Sequence, residues 1–127
     1  MFVGMPGTES SPTAVGGAAG GFRVSGAGSA ALRIQVWGYW GPDVAGEFSK
    51  KVAAMAPSLA LATALTFDAS ELKPQGVEGQ EALRVLFRAL AATTLSGGEA
   101  VVVKNVLTRM QLARLLRECG LEGRLSF

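Results

Sequence analysis

The side chains in this 127-residue chain whose types could support chemistry are the carboxylates of Asp68, Glu71, Glu78 and Glu81, the hydroxyl of Ser70 and the thiol of Cys119. No histidine is present. That removes histidine general bases, Ser–His and Cys–His nucleophile pairs, and histidine-ligated metals. Cys119 is the only cysteine, so neither an internal disulfide nor a multi-thiolate zinc site can form. It falls on the apolar face of a predicted helix and reads as a buried structural thiol. Among the acids and Ser70, no base stands beside a nucleophile at a recognisable spacing. Asp68 falls at the predicted C-terminus of a strand, where ligands of open α/β sheets collect. A small enzyme using Asp68 is therefore the lowest-ranked alternative, behind an aspartate that accepts hydrogen bonds from its own loop. No catalytic residue, cofactor or metal is expected.

These acids lie in one stretch, residues 66–90, around which the chain is organised. An apolar run ending at Leu65, Phe67 and Asp68 predicts a strand, and Lys73-Pro74-Gln75-Gly76 predicts a turn. Leu83, Leu86, Phe87 and Leu90 recur at helical spacing and predict a helix starting near Val77. Glu78 and Glu81 then occupy the helix start, where unpaired N–H groups and the positive end of the dipole favour carboxylates by ~0.3–1 kcal/mol each.

Composition bounds the rest. The length suits one domain with a single core. Apolar residues make up 49% and charged residues 17%, as in a folded globular protein. Twelve basic and ten acidic residues give a net charge of +2, too balanced to make nucleic acid or an anionic membrane the main partner. Lys104, Arg109, Arg114, Arg117 and Arg124 make the last quarter locally basic, without the interleaved aromatics of a nucleic-acid surface, and read as a solvated helix face.

Residues 1–20 are dominated by Gly, Ala, Ser, Thr and Pro and are expected to be a flexible tail. They lack the basic-then-apolar pattern of a secretory signal. The longest uncharged interval, residues 52–67, contains Pro57 and is too short to span a bilayer, so no direct membrane insertion and a cytoplasmic location are expected. The domain is placed at residues 21–127. Gly26-Ala27-Gly28-Ser29-Ala30-Ala31 fits a loose dinucleotide-binding pattern, but it leads into alternating residues rather than a helix and is read as a hairpin turn between strands 21–25 and 31–40. In the second strand Leu32, Ile34, Val36, Gly38 and Trp40 face one way, towards the helices. Arg33, Gln35, Trp37 and Tyr39 face the other, which makes Trp37 and Tyr39 a secondary contact face for a partner or a homodimer, unless the tail or an edge covers them.

Gly41-Pro42-Asp43 opens a helix carrying Val44, Phe48, Val52 and Met55 on one stripe, expected to stop at Pro57. Residues 59–67 read as a central strand covered on both faces. Leu95-Ser96-Gly97-Gly98-Glu99 is close to an ABC-transporter ATPase signature, but no phosphate loop accompanies it and it reads as a helix stop. Residues 100–104 form a short strand. Thr108 with Gln111 is expected to cap a last helix, with Leu112, Leu115, Leu116 and Cys119 inward and Gly120-Leu121 closing it. The order β-β-α-β-α-β-α predicts a single α/β domain, a mixed sheet with helices mainly on one face.

Asp68-Ala69-Ser70, Leu72, and Gly79 followed by Leu83 resemble the central motif of STAS domains, the family of bacterial anti-sigma-factor antagonists. Val36-Trp37-Gly38-Tyr39 is similar to the glycine-ended strand before that family's first helix, and residues 115–121 are similar to its closing helix and Gly-Leu. Members commonly carry Asp-Ser-Ser-Gly at the helix start, and a partner kinase phosphorylates the serine before the glycine. Here the corresponding residues are Gly76, Val77, Glu78 and Gly79, so glutamate replaces the acceptor. Glu78 is either a fixed phospho-like charge or an ordinary helix-start acid, and Ser70 is the nearest substitute phosphoacceptor. The resemblance implies a STAS-like fold and a non-catalytic protein-interaction module in transcription-regulating signal transduction. Its partner would be an anti-sigma factor or switch kinase, bound through Lys73, Gln75, Gly76, Val77, Glu78, Gly79 and Gln80. The alternative is a STAS-like accessory subunit of a membrane lipid-transport ABC ATPase complex. No nucleic-acid partner is implied.

Overall fold

Alternation of apolar and polar residues from Ala31 onward is what sets the sheet. In the computed structural model, which describes residues 13–26, 31–62, 64–93 and 99–121, strand β3 (Ala31–Gly38) lies at the centre of five strands. β1 (Thr13–Gly17) and β2 (Gly20–Ser25) join it as antiparallel neighbours on one side, and β4 (Ala64–Leu72) and β5 (Glu99–Val103) as parallel neighbours on the other. Helices α1 (Pro42–Leu61) and α2 (Val77–Ala91) make the crossovers that parallel pairing requires, and α3 (Val106–Glu118) follows β5. The mixed sheet with three helices on one face is the α/β arrangement expected.

Face assignment in β3 follows the sequence. Leu32, Ile34, Val36 and Trp40 are buried beneath the helices, while Arg33 and Tyr39 are exposed and Gln35 and Trp37 half-buried. Phe22, Trp40 and Phe48 meet edge-on or tilted, with ring centroids 4.8–6.0 Å apart, and tie β2, the end of β3 and α1 together. Phe67 against Phe87 does the same for β4 and α2. Leu83, Leu86, Phe87 and Leu90 from α2, and Leu112, Leu115 and Leu116 from α3, complete the core.

Four expectations are corrected. A strand, β1, occupies residues 13–17 of the expected tail, and Gly20 belongs to β2. Strand pairing uses backbone groups, which glycine and alanine supply as well as any residue, and composition hides that. Residues 1–12 lie outside the described residues, as do the hairpin turn at residues 27–30, the segment 94–98 and residues 122–127. Pro57 does not stop α1, which runs through it to Leu61. The proline costs ~3 kcal/mol, and the burial of Leu59, at 1% exposure, returns ~1.5–3 kcal/mol.

The strand read at residues 59–67 consequently starts later, at Ala64, and continues to Leu72. Only one of its faces, with Leu65, Phe67 and Ala69, lies under helices; Thr66 and Ser70, on the other, are half-buried. Between Gln35↔Asp68 and Trp37↔Glu71 the register shifts by one residue, a bulge at Ala69 and Ser70 that turns Leu72 back into the core. Finally, Asn105 rather than Thr108 caps α3, its side chain accepting the Thr108 N–H at 3.0 Å. The Thr108 hydroxyl instead donates to the Leu72 carbonyl at 2.8 Å, docking α3 on the end of β4.

The close of α3 is as expected. Gly120 has φ +78°, and Leu121 N–H reaches back to the Leu116 carbonyl at 2.8 Å with its side chain fully buried. Cys119, expected to be buried, is the C-cap of α3 and only half-buried against the core, and that burial pushes its thiol pKa up. Among the described residues no helix is long and apolar enough to cross a membrane.

Candidate functional site

The turn between β4 and α2 is held by one side chain. Gln75 is 5% exposed, and its amide nitrogen donates to the carbonyls of Gly38 and Lys73, both at 2.8 Å. Its amide oxygen accepts the Trp40 N–H at 3.0 Å. The Gln75 backbone is gripped as tightly. Gln111 on α3 accepts its N–H at 2.7 Å and donates to its carbonyl at 3.0 Å, and Gln80 donates to the same carbonyl at 3.0 Å. One residue thus joins the end of β3, the turn, α2 and α3.

Two glycines make the arrangement possible. Gly38 has φ +71°, and its carbonyl accepts both Gln75 and the Lys73 N–H. At Gly79 a β-carbon would stand 2.3 Å from the Gln75 amide oxygen, so only glycine lets the helix sit this close. Gly76 lies against Tyr39, where a β-carbon would be 2.5 Å from the hydroxyl.

On this base the first turn of α2 faces outward. Gly76 is the N-cap in extended conformation with no side-chain cap, which leaves helix-start N–H groups without a side-chain partner and favours the Glu78 carboxylate nearby. Val77 is 78% exposed. Glu78 is exposed and makes no ion pair among the described residues. Between α1 and α2 runs a groove of about 360 Å³, lined by Pro42, Ala45, Gly46 and Ser49 from α1 and by Val77, Glu78, Glu81 and Ala82 from α2.

The residues predicted to contact a partner therefore divide. Lys73, Val77 and Glu78 are exposed, and Gly76 is half-buried against Tyr39. Gln80 is half-buried, turned towards Gln75 and hydrogen-bonded by Arg114. Gln75 and Gly79 are buried and support the surface rather than form it. Glu81 sits beyond the first turn and pairs with Arg84 at 3.1 Å and Arg88 at 3.6 Å. Trp37 is half-covered; its indole N–H donates to the Gly17 carbonyl at 2.7 Å, so β1 takes up part of the face it was to offer. Tyr39 keeps 50% exposure beside Gly76.

Asp68 is not at a strand end. It lies inside β4, pairs with Arg33 and accepts the Ser70 N–H at 3.0 Å. Burial pushes its pKa up, but the Ser70 hydroxyl and N–H and the charges of Arg33 and Lys104 outweigh it, so the carboxyl titrates below its ordinary value. The carboxylate is occupied as an ion-pair partner. Ser70 lies in the bulge, half-buried on the sheet face away from the helices.

Sequence reasoning missed the roles of Gln111, Arg33 and Asn105. Asn105 was legible as a cap residue just before Val106. Nothing local in the sequence marks the other two, because their partners are more than thirty residues away.

No known family profile matches the chain, and no curated protein matches it. Among solved structures it is similar to an anti-sigma factor antagonist from Mycobacterium paratuberculosis, at 17% identity, covering 91% of this chain and 81% of that one, with a TM-score of 0.52. The likeness is one of fold. The chain has the STAS-like fold of that antagonist.

Proposed function

We propose that this chain is a non-catalytic protein-interaction module that binds a regulatory protein of the anti-sigma-factor or switch-kinase type in the cytoplasm. The first turn of α2, with Glu78 as its charged centre and Val77 and Tyr39 beside it, is the contact surface. One observation carries the reading: Val77, at 78% exposure, and the unpaired Glu78 stand side by side on a helix start that the Gln75 network immobilises. An exposed valine has no role in this core, and a fixed carboxylate on a rigid base is readily read by a partner's Arg or Lys. The fold shared with an anti-sigma factor antagonist supports the class of partner.

Affinity capture from a native lysate with wild-type and Glu78→Lys baits tests it. Recovery of a kinase-like or sigma-regulatory protein by the wild type alone is the expected result. A transporter ATPase recovered instead would replace this partner class with the accessory-subunit alternative. Equal recovery of the partner by both baits would remove Glu78 from the interface.

A further inference from the structure

Helix α3 leaves an apolar ridge uncovered. Val106, Leu107 and Met110 are 70%, 64% and 64% exposed, and their spacing places them together on the outer surface of its first turns. Residues 106–117 also carry Arg109, Arg114 and Arg117 and no carboxylate. The α1/α2 groove has the opposite character. Its lining includes the small residues Ala45, Gly46 and Ala82 and the carboxylates Glu78 and Glu81, with Asp43 and Glu47 on the adjoining turns of α1 and the cations Lys50 and Arg84 just beyond, paired to Glu47 and Glu81.

We propose that the α3 ridge of one copy of this chain docks in the α1/α2 groove of a second copy. Leu107 and Met110 are large knobs, and Ala45, Gly46 and Ala82 form a hole of matching apolar character. The arginines of the ridge face the carboxylates that border the groove. Most of these charges already have local partners: Glu81 holds Arg84 and Arg88, Glu47 reaches Lys50 at 3.6 Å, Arg114 reaches Glu118 at 3.8 Å, and Arg109 and Arg117 each make an interaction within the chain. Exposed pairs of this kind are weak and exchange readily. The ridge cannot fill its own groove, because α2 stands between α1 and α3, with Arg84 bound to Glu118 across the α2/α3 side. Ridge and groove therefore meet only between molecules, as a heterologous contact. The groove shares Val77 and Glu78 with the proposed partner surface, so a second copy and a regulatory protein would compete for it; an experiment on the purified chain alone reads self-docking apart from the partner reading.

Sedimentation of the full chain across concentration, at low and high salt, tests it with two surface variants. Met110→Glu spoils the ridge, and Gly46→Arg fills the groove with a cation; Met110 is exposed and a β-carbon at Gly46 meets nothing within 4 Å, so both variants keep the fold. The wild type is expected to associate with rising concentration, less so at high salt. Each variant alone is expected to sediment as a monomer. Their equimolar mixture is expected to recover a one-to-one heterodimer, because one variant keeps its ridge and the other its groove. A wild type that stays monomeric overturns the proposal, including one whose α3 face binds phosphatidylglycerol vesicles or an acidic amphipathic peptide instead. So does association that survives both substitutions, or a mixture that stays monomeric.

Discussion

A carboxylate buried inside a strand needs partners to remain ionised, and Asp68 finds them in Ser70, Arg33 and the field of Lys104. Because its folded pKa lies below the ordinary value of 3.8, its stabilisation is fully present above the unfolded pKa and is lost as pH falls through the folded one. Asp68→Asn should therefore unfold at lower urea than wild type at neutral pH, with the gap closing as pH falls below about 4. A gap of constant size at every pH would mean that the ionised carboxylate contributes nothing. The serine two residues on was legible as a neighbour of Asp68, but the bulge that aims its N–H at the carboxylate was not. At Glu78 the reading of an exposed helix-start acid needed only local sequence. At Gln75 it failed, since a glutamine in a polar turn reads as exposed, and only the carbonyls of Gly38 and Lys73 and the Trp40 N–H show why it is inside.

Elements were legible where periodicity was unbroken. The helical spacing of Leu83, Leu86, Phe87 and Leu90 placed α2, and Leu112, Leu115 and Leu116 placed α3. The border of α1 and β4 was not legible, because the apolar run 59–67 fits a buried helix end as well as a buried strand. β1 escaped because its residues declare no preference and gain their order from β2. The junction of these elements is Gln75, and its removal should loosen all of them at once. Gln75→Leu keeps the bulk but strands the Trp40 N–H and the Lys73 carbonyl, so a loss of about 2–4 kcal/mol is expected in urea unfolding followed by circular dichroism. A loss below about 1 kcal/mol would show that the turn holds its shape without this side chain.

At the scale of the whole molecule, helices cover one face of the sheet and leave a row of Arg23, Gln35, Asp68 and Val102 across the other. That layering, and the single domain, could be argued from element order alone. It places the β4–α2 turn, the end of β3 and the start of α3 at one end of the molecule, where Tyr39, Val77, Val106, Leu107 and Met110 account for most of the large apolar surface exposed among the described residues. This asymmetry is what a binding module needs and what packing alone does not require. The most direct test is a charge swap measured by titration calorimetry on the partner that the wild type captures. Glu78→Lys should weaken binding at least tenfold, about 1.4 kcal/mol, and replacing the facing partner cation by glutamate should restore it. Unchanged affinity of the Glu78→Lys protein would contradict the account.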